Sequence, residues 1–270
     1  MTSSTFYLLF LLPALSLSEV TTFSRCPQFF VRGIQSIPTI LHDPSDKYRY
    51  EQICQCLLDQ NGPKYFYATL YDTKNKIPVY SAYEFNHATV NRIDRWYVEP
   101  QLDAGNIICM ATQSNIPSLN QGRRQALNSD YEGSGYDKGH LFPVYHTHNE
   151  ETMLATSTLT NAAPQGPSFN RGQWKKHEND LATILMKNCK KAYIVTGVIP
   201  GNQAIGKNVR VAKYYWNAYC CFDFNGATTS AGYMGPDNNG NVQMYTVNYL
   251  EVDLKNKYGQ VFSVFQGLCK

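Results

Sequence analysis

Beyond its first eighteen residues the 270-residue chain has no apolar run long enough to cross a bilayer. It also lacks an internal repeat, a low-complexity tract and a linker-like shift in composition, so solenoids and disordered chains are excluded and one globular domain remains. Neither sign of charge is in excess. Lys and Arg number 24 and Asp and Glu 21, and the resulting +3 allows a polyanionic partner without requiring one. No Asn-x-Ser/Thr sequon occurs. The cysteines have no paired CxxC spacing: one residue separates Cys54 from Cys56, and Cys220 adjoins Cys221, which speaks against a zinc ribbon.

The opening stretch, MTSSTFYLLFLLPALSLSEV, carries an apolar run from Phe6 to about Leu15, followed by Ser16 and Ser18 at positions that suit a signal peptidase. The run is short for a membrane span, and its terminal position favours a cleaved signal over an apolar helix of the fold. No Lys or Arg precedes it, so the amino terminus alone supplies positive charge. Residues 1–18 are therefore expected to be a signal peptide, and 19–270 a single secreted, extracellular domain with no membrane insertion. All eight cysteines lie beyond the cut, and an even count in an exported chain predicts disulfides whose pairing stays open.

The aromatic fraction is 13%, with 20 tyrosines, and favours a strand-rich body. After a cysteine-containing segment over 19–60, two Tyr/Val-rich runs flank Asp72-Thr73-Lys74-Asn75-Lys76 and predict a β-hairpin. Further strands are expected over 192–199, 214–224 and 242–252, with a turn cluster over 235–241. The best helix candidate runs from Asn170 to Lys191: Trp174, Leu181, Leu185 and Cys189 fall on one stripe, and Asn170 suits an N-cap. Strands and helices without regular alternation predict an α+β fold with a largely antiparallel central sheet.

Residues 129–143, SDYEGSGYDKGHLFP, place Gly133, Gly135 and Gly139 ahead of His140, so the backbone can turn tightly and approach a ligand. DKGH alone is weak, since a solvated turn with an incidental histidine reads equally well. A second segment, TNAAPQGPSFNRGQWKKHE from Thr160 to Glu178, changes the balance. DKGH, TNAAPQ and FNRGQWKKHE stand in the order and spacing of three motifs of the DNA/RNA non-specific endonuclease family, which the chain resembles over roughly 60–265. The flanking sequence and the hairpin are especially similar to the vertebrate endonuclease domain-containing 1-like branch. The resemblance implies a ββα-metal (His-Me finger) site, a magnesium ion with Mn²⁺ as substitute, and DNA and RNA as substrates.

By that resemblance His140 is the general base, Asn170 the metal ligand through its amide oxygen, and Asn161 and Lys138 catalytic helpers at the base and the phosphate. Lys138 stands where most of the family has Arg, which keeps the charge and loses the two-pronged grip on phosphate. An upstream arginine should face the scissile phosphate. Arg92 and Arg95, before Trp96, both qualify, and a solvated surface charge is the plain alternative for each. The chemistry agrees, because a neutral imidazole near pH 7 can take the proton of an attacking water. On a continuous helix Glu178 would lie about 12 Å beyond Asn170 on one broad face. That distance predicts action through a metal-bound water rather than joint direct coordination.

His146 and His148 lie near His140 on a strand-like period and could form a zinc cluster with it. A surface loop is the preferred reading for both, with His177 on an exposed helix face. Trp174 is read as core. The leading reading is a secreted magnesium-dependent endonuclease with little sequence preference. Two others compete: a weak or inactive pseudo-nuclease serving as a binding module for nucleic acid or protein, and a zinc hydrolase built on the three histidines.

Overall fold

The Tyr/Val-rich runs around Asp72 form the hairpin their pattern predicts, and Asp72 itself shapes the turn. Its carboxylate accepts from the backbone N–H of Lys74 and Asn75 at 3.0 Å and is clamped from behind by the Arg49 guanidinium. The computed structural model describes residues 19–91 and 93–270. The expected signal peptide, residues 1–18, and Arg92 lie outside the described residues.

In chain order the strands and helices are β1 (Val31–Ile34), β2 (Tyr50–Asp59), β3 (Gly62–Asp72), β4 (Ile77–Glu84), α1 (Asn128–Tyr131), β5 (Asp137–His140), α2 (Glu150–Thr156), β6 (Ala162–Gln165) and α3 (Pro167–Phe169). A wide turn over Asn170–Trp174 then leads into α4 (Lys175–Asn188), β7 (Lys191–Ile205), β8 (Val209–Phe222), β9 (Thr228–Pro236), β10 (Gln243–Tyr245) and α5 (Val247–Tyr258). Seven strands make one antiparallel sheet in the order β10-β9-β8-β7-β4-β3-β2, and β5 pairs with β6 in a separate ribbon. The fold is α+β with a large antiparallel sheet, as the composition and the irregular order of elements imply.

The sheet is covered on both faces, and β8 shows how. Trp216, Ala218 and Cys220 face the layer that contains α5, whereas Tyr215, Tyr219 and Cys221 face the layer that contains α4 and the ribbon. This two-residue alternation explains the adjacent cysteines: Cys220 bonds to Cys269 on one face and Cys221 to Cys189 on the other. Cys54 and Cys56 also go to different partners, Cys26 and Cys109, with a β-bulge between Gln55 and Cys56. All eight cysteines are thus oxidised in pairs.

Two expectations need correction. The run 242–252 is strand only over β10. From Val247 it is helix, because Thr246 accepts from the Tyr249 N–H as an N-cap, and Val247, Leu250 and Leu254 recur at helical spacing in the core. The helix expected from Asn170 is not continuous either. It starts earlier, at Pro167, and widens over Asn170–Trp174, with Gly172 outside helical dihedrals, before α4 begins. Asn170 is therefore no N-cap, and the distance reasoned from an ideal helix does not apply to it. No helix among the described residues is long and apolar enough to cross a membrane.

Candidate active site

The ribbon and α4 enclose a cleft of about 550 Å³ lined by Asp137, Lys138, His140, Asn170, Arg171 and Glu178, with Trp96, Tyr145, Lys175 and Asn179 at its rim. Its construction begins with the glycines. Gly135 adopts φ +78° in open space, a left-handed turn that feeds the chain into β5. Gly139 has a different role: a Cβ there would fall 2.2 Å from Gln165 Oε1 and 2.7 Å from the Tyr215 hydroxyl. The close approach is to β6 and β8, where a ligand had been expected, and it lets the ribbon lie against the sheet.

Lys138 and His140, two residues apart, share one side of β5 and meet the same indole. The His140 ring centroid is 4.8 Å from that of Trp96, and Lys138 Nζ stands 5.3 Å from the Trp96 centroid and 5.6 Å from that of Tyr131. Desolvation lowers the Lys138 pKa, against the pull of Asp94 and Glu132.

Asn161 is fully buried behind the strand rather than in the cleft. Its Oδ1 accepts from the Phe142 N–H at 3.0 Å and the Ser81 hydroxyl at 2.9 Å, and its Nδ2 donates to the carbonyls of Phe142 and Thr156. Its own carbonyl accepts from the Leu141 N–H. Asn161 thereby fixes the two residues that follow His140 to the face of β4 at Ser81.

Asp137, at the head of β5, accepts from Asn170 Nδ2 at 2.9 Å and from Arg171 through Nε at 2.9 Å and Nη2 at 2.6 Å. Because the amide nitrogen of Asn170 is committed to Asp137, the donor/acceptor assignment of that amide is fixed and its oxygen remains the ligand-type atom. Glu178, half-buried on α4, has its pKa raised to about 8 by desolvation, partly opposed by the Trp174 indole and Lys175. An amide oxygen and a carboxylate facing one cleft make a hard oxygen donor set, which suits Mg²⁺ or Mn²⁺ and not a thiolate-seeking metal.

Two histidines outside the cleft, His146 and His177, depart from expectation. His146 is buried, with its ring between the Tyr83 hydroxyl, 3.0 Å from Nδ1, and the Glu178 carbonyl, 3.0 Å from Nε2. A carbonyl only accepts, so Nε2 carries the proton and Nδ1 accepts from Tyr83. His177 is also buried, against Asn217. Burial pushes both pKa values down to about 4. His148 is exposed beside Asn149, as expected of a surface loop. Among the described residues these histidines form no metal-binding group. The one such cluster, Glu19 with Cys56 and Cys109, has both sulfurs in a disulfide.

Arg95 is exposed next to Trp96 and does not line the cleft. Among the described residues the arginine that does is Arg171, which the sequence did not single out although it follows Asn170 directly. No local pattern marks it, because the widened turn over Asn170–Trp174 interrupts the helical spacing that would tie Arg171 to Lys175 and Glu178 on α4.

Residues 50–268 match the sequence profile of the family described as DNA/RNA non-specific endonuclease. Human endonuclease domain-containing 1 protein is 34% identical over 211 residues, covering 75% of this chain and 40% of the relative. Human mitochondrial endonuclease G is 36% identical over 87 residues, 31% of this chain and 29% of the relative. The chain thus spans about two fifths or less of these relatives' length. A solved EndoG chain from the EndoG/EndoGI complex superposes with a TM-score of 0.55 at 21% identity, covering 75% of this chain and 84% of that one. This likeness concerns the fold.

Proposed function

Because the chain belongs to the DNA/RNA non-specific endonuclease family, we propose that it is a secreted, magnesium-dependent endonuclease that hydrolyses phosphodiester bonds in DNA and RNA. The observation that supports this most directly is the meeting of His140, Asn170 and Glu178, from two separate sequence segments, in one cleft with Lys138 and Arg171.

His140 takes a proton from the attacking water as the new O–P bond forms and the bond to the 3′ oxygen breaks, which leaves a 5′-phosphate and a 3′-hydroxyl. Trp96 limits the swing of the imidazole. Lys138 and Arg171 neutralise the non-bridging phosphate oxygens, and contacts confined to the backbone give little sequence preference. Asn170 would hold magnesium by its amide oxygen, and Glu178 would orient the ion's water shell. When bound, the ion would supply positive charge where the oxygens of the pentacoordinate phosphorus and the leaving oxygen become negative. Asp137 keeps the Asn170 amide turned the right way. Secretion accords with four disulfides, which an oxidising compartment maintains.

A plasmid-nicking assay tests the reading. Cleavage is expected with Mg²⁺, none with EDTA, and a loss of roughly 100-fold or more for His140→Ala. Nucleic-acid binding without nicking would overturn it in favour of a binding module.

A further inference from the structure

Away from the cleft, Glu19 and Glu99 are both buried. Glu19 Oε1 accepts from Gln55 Nε2 at 3.2 Å, and Glu99 Oε1 accepts from the hydroxyls of Thr158 at 3.2 Å and Thr160 at 3.1 Å. Among the described residues, the groups acting most strongly on the two carboxyls are each other, Gln55, Thr158 and Thr160, and none is a cation. Tyr67 faces the pair from β3, and Asp103 lies one bridge away, through Gln125. Burial raises the pKa of both; the charge of Glu99 and a hydrogen bond between the two carboxyls raise Glu19 further, whereas that bond and those from Gln55, Thr160 and Thr158 pull Glu99 back down. Two buried acids with no counter-ion hold at least one proton at neutral pH, at a cost in stability.

The backbone of Glu19 is pinned at the same place. Its N–H donates to Gln101 Oε1 at 3.0 Å, the Val20 N–H donates to the same oxygen at 3.1 Å, and its carbonyl accepts from the Cys54 N–H. Val20 then bridges to Ile53 on the outer edge of β2. Ser18-Glu19 is also the bond at which the sequence predicts signal cleavage. We propose that this cleavage installs a functional group: the α-ammonium of Glu19, seated in the wall of the fold as the counter-ion of the Glu19/Glu99 pair.

Hydrolysis breaks the Ser18 C–N bond. The hydroxyl of water goes to the departing Ser18 carboxylate, and the freed amine retains a proton from solvent. A neutral amide donor becomes a cation at a nitrogen already held against Gln101.

The test compares the full mature chain starting at Glu19 with a chain that retains Ser18, both with disulfides intact. Mass spectrometry of the secreted protein should place its first residue at Glu19, and a different terminus would overturn the proposal. At pH 6.5 the Ser18-retaining chain is expected to melt at least about 3 °C lower. An amine that gains acidic partners has its folded pKa raised above the usual 7.7–8.0, so its contribution is complete below that range and lost as pH rises through the folded pKa. The gap between the chains should therefore close in alkali, and Glu99→Gln should shrink it at pH 6.5. If the extended chain fails to fold, amine acylation of the Glu19 chain decides. The native α-amine should react far more slowly than in urea, whereas labelling as fast as exposed lysines, or coincident melting across the pH range, would overturn the proposal. None of these readouts needs nuclease activity, so their failure leaves the proposed chemistry untouched.

Discussion

Asp137 is the residue on which the cleft's polar geometry turns, since it binds the neutral amide of Asn170 and the guanidinium of Arg171 at once. Asp137→Ala is expected to lower nicking rates by about 10- to 100-fold, the usual effect of removing a partner that orients a metal ligand. Stability should change little through the ion pair, because its Arg171 end is solvent-exposed although Asp137 itself is mostly buried. Rates and melting curves measured side by side separate the two effects. Lys138 offers a point charge beside two aromatic faces. Lys138→Ala should reduce the slope of log affinity against log salt by about one, measured by binding titrations on a DNA duplex, whereas Lys138→Arg should keep it.

At the scale of elements, the ribbon β5–β6 works only because it is anchored at both ends. Gly139 lets it lie against β8, and Asn161 ties its continuation to β4. Asn161→Ala would strand the Phe142 N–H and the carbonyls of Phe142 and Thr156 in a buried setting, at a cost of about 3 kcal/mol or more. Urea unfolding with an unchanged m-value would show this loss. Nicking should fall as well, since the peptide after His140 loses its seat. The motif is legible in the sequence through DKGH, TNAAPQ and FNRGQW. The division of labour within it is not, because nothing in the order of residues says that Asn161 faces inward while Arg171, next to Asn170, faces the cleft.

Over the whole molecule, buried ionisable groups set the response to pH. His146 and His177 titrate near 4 when folded and about 6.5 when unfolded, so between those values the unfolded chain binds protons that the folded chain refuses. Their contribution is complete above about pH 6.5 and lost as pH falls toward 4, at most about 3 kcal/mol for each. Glu19, Glu99 and Glu178 act in the opposite sense: their raised pKa values give a contribution present in acid and lost as pH rises. Comparing His146→Gln with the parent isolates one term, and the acid loss of unfolding free energy between pH 7 and 4.5 should be smaller in the variant. Equal losses in both would place the histidine's proton elsewhere.

Period and punctuation in the chain determined much of this fold. Tyrosine-rich runs on either side of the polar loop Asp72–Lys76 make the β3–β4 hairpin, and the stripe of Trp174, Leu181 and Leu185 makes the helix beside the cleft, because local backbone preference and burial agree there. Elsewhere the fold overruled the local pattern. The stretch 242–252 is rich in strand formers yet turns helical, since a threonine cap and three core-facing side chains outweigh weak β-preference. Long-range contact alone fixed which cysteines pair, which histidines are buried, which of the described arginines faces the cleft, and that two acids distant in sequence are buried together. Each of these depends on what a side chain meets across the sheet, and that neighbour is set by strand order and register, which local sequence does not encode.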